Sequence, residues 1–130
     1  MALKVKSVWS AVERRNDGLR ILATRFRGRG MPAARYDVWM PSLGPSEELL
    51  QSVQTGAIPW RQFAREFKKE IFLDGPIDGR SRTIKNHGQK FTLRLIKHMA
   101  QEGHVTLMCH CAEDQEHCHR HLLRELILRS

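Results

Sequence analysis

Val105-Thr106-Leu107-Met108-Cys109-His110-Cys111-Ala112-Glu113-Asp114-Gln115-Glu116-His117-Cys118-His119-Arg120-His121 is the stretch on which the reading of the chain turns. It holds all three cysteines of the protein and four of its seven histidines. The apolar run from Val105 predicts a buried strand ending at about Cys109, because Glu113 to Glu116 offer no apolar residue with which to alternate. Leu122, Leu123, Leu126 and Ile127 then recur at helical spacing, so the stretch reads as strand, loop and helix. Cys118, His119 and Arg120 fall at or just inside the first turn of that helix. Unpaired backbone N–H groups and the positive end of the helix dipole favour anions and thiolates there.

Outward from this stretch, Phe91, Leu95, Ile96 and Met99 mark a helix from about Gly88 to Glu102, with Gly103 where a left-handed cap is common. Trp60, Phe63, Ala64, Phe67 and Ile71 form the apolar stripe of another helix, with Pro59 in its first turn and Arg61, Arg65, Lys68 and Lys69 on its wet side. A third helix starts at Ser46 as cap, with Glu47 and Glu48 in its first turn, Leu49, Leu50 and Val53 on one face, and Gly56 after its end. Gly75-Pro76 and Asp78-Gly79 place a loop between Asp74 and Arg82, and Arg80, Arg82 and Lys85 make it basic.

Nearer the N-terminus, Leu3, Val5, Val8 and Trp9 predict a first strand running to about Val12, and Arg15-Asn16-Asp17-Gly18 a turn. Leu19 to Thr24 reads as a second, buried strand, and Tyr36, Val38, Trp39 and Met40 as a short apolar patch. The expected architecture is a single α/β domain over residues 1–130, with a mostly parallel sheet of about four strands flanked by helices.

With 130 residues, of which 41% are hydrophobic, the chain suits one compact core. Twenty-two Lys+Arg against fourteen Asp+Glu give a net charge of +8, a surface attractive to phosphates, nucleic acid or anionic metabolites. Three clustered cysteines do not make a disulfide framework, and no apolar signal segment precedes the body of the protein, so the chain reads as intracellular and cytoplasmic. No apolar run approaches the roughly 20 residues of a membrane helix.

Four pieces of the chain resemble the family called domain of unknown function 488. They are Arg20-Ile21-Leu22-Ala23-Thr24-Arg25 with the Arg-Gly turn after it, Trp39 through Leu43-Gly44-Pro45-Ser46-Glu47-Glu48-Leu49, Phe63 to Phe67, and Val105 to Met108 before Cys111. The first three are similar to a shorter branch of the family, in which the cysteines are often replaced. Cys111-Ala112-Glu113 and Cys118-His119-Arg120 are similar to the Cys-x-Glu and Cys-His-Arg of the other branch. The resemblance implies membership and no particular reaction.

Three chemistries fit the residues. In the first, Cys109, Cys111 and Cys118, with one of His117, His119 or His121, supply sulfur and imidazole ligands of the kind zinc prefers. Against it, Cys-x-Cys with a six-residue gap to Cys118 is not the paired Cys-x-x-Cys knuckle. In the second, Cys118 at the helix N-terminus is the more acidic thiol, and Cys118 or Cys111 acts as a catalytic nucleophile while His119 or Glu113 moves protons. The phosphatase loop is excluded, because six residues after Cys111 stands His117 where an arginine is needed.

In the third, Arg25, Arg27, Arg29 and Arg120 bind an anion or phosphate-containing ligand, with Gly28 and Gly30 allowing close approach. Cys111, Glu113 and His119 then orient the arginines. A purely structural role is the fourth possibility, with buried cysteines and a Glu113–Arg120 pair fixing the loop. The expectation is an anion site at the strand ends that joins the Arg25 to Gly30 loop to the Cys109 to Arg120 loop, in an enzyme if a cysteine is reactive. A basic nucleic-acid-associated protein and a metal-binding protein are the alternatives.

Overall fold

The computed structural model describes residues 2–73 and 88–130. Strands β1 (Ala2–Ser7), β2 (Leu19–Leu22), β3 (Val38–Trp39) and β4 (His104–Cys109) form one sheet in the order β1-β4-β2-β3, and every pairing is parallel. Parallel neighbours need a crossover between them. The first crossover carries α1 (Arg14–Asp17) and leaves a gap that β4, the last strand in the chain, fills. The second is the loop 23–37, whose regular part is a 3-10 turn at Ala33–Arg35. The third carries α2 (Glu47–Gln54), α3 (Trp60–Phe72) and α4 (Lys90–Glu102), and α5 (His119–Leu128) follows β4. The expected α/β architecture is the one adopted.

The two faces of the sheet are covered differently. Leu3, Ile21, Val105 and Leu107 pack with Phe63 and Phe67 of α3, Leu93 and Ile96 of α4 and Leu123 and Ile127 of α5 into one apolar core. Because strand side chains alternate, Lys4, Lys6 and Thr106 belong to the opposite face, where α1 lies. Asp17 of α1 is fully buried there, its carboxylate 3.0 and 3.1 Å from Lys6 Nζ and 3.6 Å from Lys4 Nζ. The Glu13 N–H donates to it at 3.0 Å, and Thr106 Oγ1 donates to the Asp17 carbonyl at 2.7 Å. Farther along this face, Met31 and Tyr36 of the loop 23–37 cover Val8, Leu22 and Met108.

Several boundaries differ from the sequence reading. β1 stops at Ser7 instead of Val12 because Ser10 N–H turns back to the Ser7 carbonyl at 3.1 Å. Arg15 to Asp17 form one helical turn, and Gly18 at φ 60 carries the chain into β2. Pairing of β2 is assigned to Leu22, although Ala23 N–H still reaches the Met108 carbonyl at 2.9 Å. Gly103 is extended (φ −167, ψ −154) and not left-handed, since the chain runs straight into β4. The loop expected from Asp74 to Arg82, with Arg80, Arg82 and Lys85, lies outside the described residues.

Burial alone would raise the Asp17 pKa, but the Glu13 N–H and the two lysines outweigh it and hold the carboxyl below its ordinary value. A carboxyl with a depressed folded pKa stabilises the fold above its unfolded pKa of about 3.9, and that contribution is lost as pH falls through the folded value. Asp17→Asn, which strands two lysines beside a neutral group, is expected to cost about 3 kcal/mol at pH 7. Urea denaturation at neutral and acid pH checks this: the parent should lose more stability than the variant on acidification, and equal losses would refute the assignment.

Candidate functional site

The chain leaves the carboxyl end of β4 at Cys109 and enters α5 through Cys118, which is its N-cap residue. The sulfurs of Cys109, Cys111 and Cys118 all lie within 4.8 Å of one another, close enough to hold a metal ion. Cys109 and Cys118 are buried with their sulfurs 2.9 Å apart, whereas Cys111 is partly exposed. The strand ends at Cys109, and the turn that follows keeps the Cys111 sulfur beside that of Cys109.

Acidity within the trio is unequal. Hydrogen bonds from Cys109 and Cys118 hold Cys111 well below the ordinary thiol range against the cost of its partial burial, with help from the charge of Arg120. The same contacts push Cys109 and Cys118 up, and burial adds to both shifts. Sequence position alone favours Cys118 as the acidic thiol; the structure reverses that order. Its side chain makes no capping bond to the helix and is out of water, so it serves as a donor.

Arg120 holds the loop around these sulfurs. It is 0% exposed, and its Nη2 donates to the carbonyls of Ala112 (2.8 Å) and Glu113 (3.0 Å). Nη1 donates to the Cys111 carbonyl (3.3 Å) and to Cys109 Sγ (3.2 Å). The Glu113 carboxylate is 3.8 Å from this guanidinium and is engaged by Ser7 N–H at 3.3 Å and Ser10 Oγ at 2.7 Å. It ties the loop to the end of β1 and is spent on those donors.

Of the candidate histidines, His117 stacks on Trp60 at 4.8 Å and His121 Nε2 meets the Gln115 carbonyl at 3.0 Å. His119 alone of the three reaches the sulfurs, with Nδ1 3.9 Å from Cys118 Sγ. Burial depresses its pKa although the Ala23 carbonyl works the other way, so the ring is neutral. Its Nε2–H donates to that carbonyl, which leaves the Nδ1 lone pair on the sulfur side. The edge of Phe67 closes the site behind it, with ring centroids 5.7 Å apart.

Cys111 and His119 face a cleft of about 230 Å³ at the carboxyl ends of β4 and β2, lined also by Thr24, Arg25, Phe26, Pro45 and Leu50. The loop after β2 does form a second wall. Its Phe26 carbonyl meets His110 Nε2 at 3.1 Å, and a Cβ on Gly28 would stand 3.0 Å from the His110 ring. Gly44 is fixed by close approach: a Cβ there would lie 2.5 Å from the Arg25 N.

The four arginines do not converge on one anion. Arg120 is enclosed by the loop, and Arg25 is buried with Nη2 on the Gly44 carbonyl at 2.9 Å. Arg27 bonds Tyr36 Oη at 3.4 Å and lies over the Trp39 ring, and Arg29 is exposed. Leu50 and Phe26 were not anticipated as cleft residues. Leu50 was expected on the same face as Leu49 and Val53, but those two pack with the core and Leu50, about 100° around the helix from Leu49, lines the cleft.

A family profile described as the active DUF488-N3 subclade, DUF488-N3a, matches residues 3–130. The chain belongs to this family. No curated protein and no solved structure matches it. The DUF488 match spans both β1 and α5, so it takes in all three cysteines, His119 and Arg120.

In this DUF488 chain, Arg120→Lys tests the loop frame. A lysine keeps the charge but has no planar fork to span three carbonyls and a sulfur, so a loss of about 3 kcal/mol is expected. Alkylation of Cys111 should have a midpoint well below the usual thiol value of about 8.5 in the parent and a higher one in the variant. An unshifted midpoint would show that the guanidinium fork, as distinct from the positive charge, is not needed for Cys111 acidity.

Proposed function

We propose that the protein is an enzyme that uses the Cys111 thiolate as a nucleophile on a small ligand held in the cleft, with Arg27 and Arg29 drawing an anionic group of that ligand towards its mouth. The observation that carries the reading is the division of labour among the thiols. The partly exposed one is held as thiolate by two buried ones and Arg120, and it opens on the cleft. Its sulfur would add to an electrophilic centre, the displaced group would leave with the bonding electrons, and water would later free the sulfur. His119 Nδ1, unprotonated, would take a proton from the water that later frees the sulfur.

A second reading, a zinc centre of Cys109, Cys111, Cys118 and His119, is favoured by the His119 tautomer. Metal-bound histidines typically donate their other N–H to a carbonyl, as this one does to Ala23. Two features weigh against it. Sulfurs sharing a tetrahedral zinc at Zn–S of about 2.3 Å stand about 3.8 Å apart, whereas Cys109 and Cys118 are 2.9 Å apart. The Arg120 guanidinium, 3.2 Å from Cys109 Sγ, also places a cation beside the ion.

Both readings are tested on one untagged, reduced preparation by elemental analysis together with timed iodoacetamide labelling at mildly acid pH. The thiolate reading predicts metal far below one equivalent per chain, a single fast label mapping to Cys111, and loss of that label in Cys111→Ser. Near one zinc per chain, with all three cysteines protected until a chelator is added, would replace it with the zinc centre.

A further inference from the structure

A strip of aromatic rings and guanidinium groups crosses the carboxyl ends of the strands and extends well beyond the cleft. Trp9, just beyond β1, is 53% exposed, and Trp39, which ends β3, is 36% exposed. β1 and β3 are the two edges of the sheet, so the two rings mark its opposite sides. An arginine lies over each: Arg35 is 5.9 Å from the Trp9 centroid and Arg27 is 5.6 Å from the Trp39 centroid. Tyr36 stands between them, meeting Arg27 with its hydroxyl and packing its ring with Val8. Phe26, 50% exposed, continues the strip into the cleft.

Core packing does not account for Trp9 and Phe26, which stand half in water and return little burial energy, while Trp39 is held with one edge exposed by its indole N–H, which donates to the Thr24 carbonyl at 2.7 Å. Charge is concentrated in the same place. Of the five arginines from Gly18 to Tyr36, a stretch without an acidic residue, Arg25 is buried and Arg20 is ion-paired, which leaves Arg27, Arg29 and Arg35 for the strip. Asp37, which follows, is paired with Arg20 at 2.9 Å and does not offset the strip.

We propose that this strip binds single-stranded nucleic acid, with bases stacked on Trp9, Trp39 and Phe26 and phosphates held by Arg27, Arg29 and Arg35. Rings interleaved with arginines are the arrangement such strands require. Every base has a π-face for an aromatic or a guanidinium plane, and the backbone needs cations at intervals. A duplex has its bases already stacked and gains nothing from the rings. The strip shares Arg27 and Arg29 with the proposed ligand site of Cys111, whereas Trp9, Trp39 and Arg35 play no part in that reading.

Fluorescence anisotropy of the full chain with labelled oligodeoxythymidine and oligouridine of about 12 nucleotides, at salt between about 50 and 200 mM, tests the proposal. Trp9→Ala and Trp39→Ala should each weaken single-strand binding about tenfold with the salt slope unchanged, in line with a stacked base being worth about 1–3 kcal/mol. Arg27→Gln and Arg35→Gln should each lower the slope by about 0.7, while Lys68→Gln on α3 changes neither quantity. Binding of either strand supports the surface, and the tighter one names the partner. Absence of binding at low salt, equal affinity for a duplex of the same length, or an effect of Lys68→Gln as large as those of the strip variants overturns it. The arginine variants leave the rings in place, so a tryptophan variant that failed to fold would not remove the test.

Discussion

A guanidinium with no access to water must find its compensation inside the protein, and Arg120 finds it in three consecutive carbonyls and a sulfur. Isolated burial of such a charge is prohibitive, so the loop 111–113 is held with its carbonyls turned inward as long as α5 is docked. That posture brings Cys111 back beside Cys109 and puts a positive charge next to both. The cluster of thiols, the orientation of its acidic member and the wall of the cleft therefore depend on one side chain projecting from the first turn of a helix. His119, its neighbour, locks the same turn to β2 through the Ala23 carbonyl. Loop, helix and two central strands are joined within a few ångströms.

Much of the architecture was legible in the sequence, and the reasons are local. The stripe Phe63, Phe67, Ile71 and the cap at Ser46, whose hydroxyl accepts from Leu49 N–H at 3.2 Å, are short-range signals, and those helices begin and end where the pattern says. Val105 to Met108 reads as a continuous apolar run because β4 has a strand on each side and cover on both faces. Boundaries set by tertiary bonds were not legible. The end of β1 is decided by a turn at Ser7 to Ser10, and the pose of Gly103 by the strand that follows at once.

At the site, residue types were legible and their roles were not. Spacing marks Cys111, Cys118, His119 and Arg120 as a group, yet rules written for isolated elements misassign the acidic thiol. A helix N-terminus lowers a thiol pKa where the thiolate is also solvated, whereas Cys118 is buried and its sulfur is engaged by the neighbouring thiols. The arginines show the same limit. Arg25 and Arg120 are charged letters in the sequence but internal fasteners in the fold, while Arg27 and Arg35 lie over tryptophan rings far from them in the sequence. Which arginine faces solvent depends on carbonyls contributed from elsewhere in the chain, and spacing carries no record of them.

The salt cluster beneath the sheet has a consequence beyond its own bonds. β1 is an edge strand of six residues whose alternate side chains are oil and cation: Leu3 and Val5 on one side, Lys4 and Lys6 on the other. Sliding it by one residue along β4 would drive both lysines into the helix-covered core and turn both apolar side chains towards Asp17. Backbone hydrogen bonds alone would score the two alignments almost alike. The single buried carboxylate of α1 separates them, so a residue remote from the cleft sets the alignment that brings the end of β1, with Ser7 and Ser10, to the loop of Glu113.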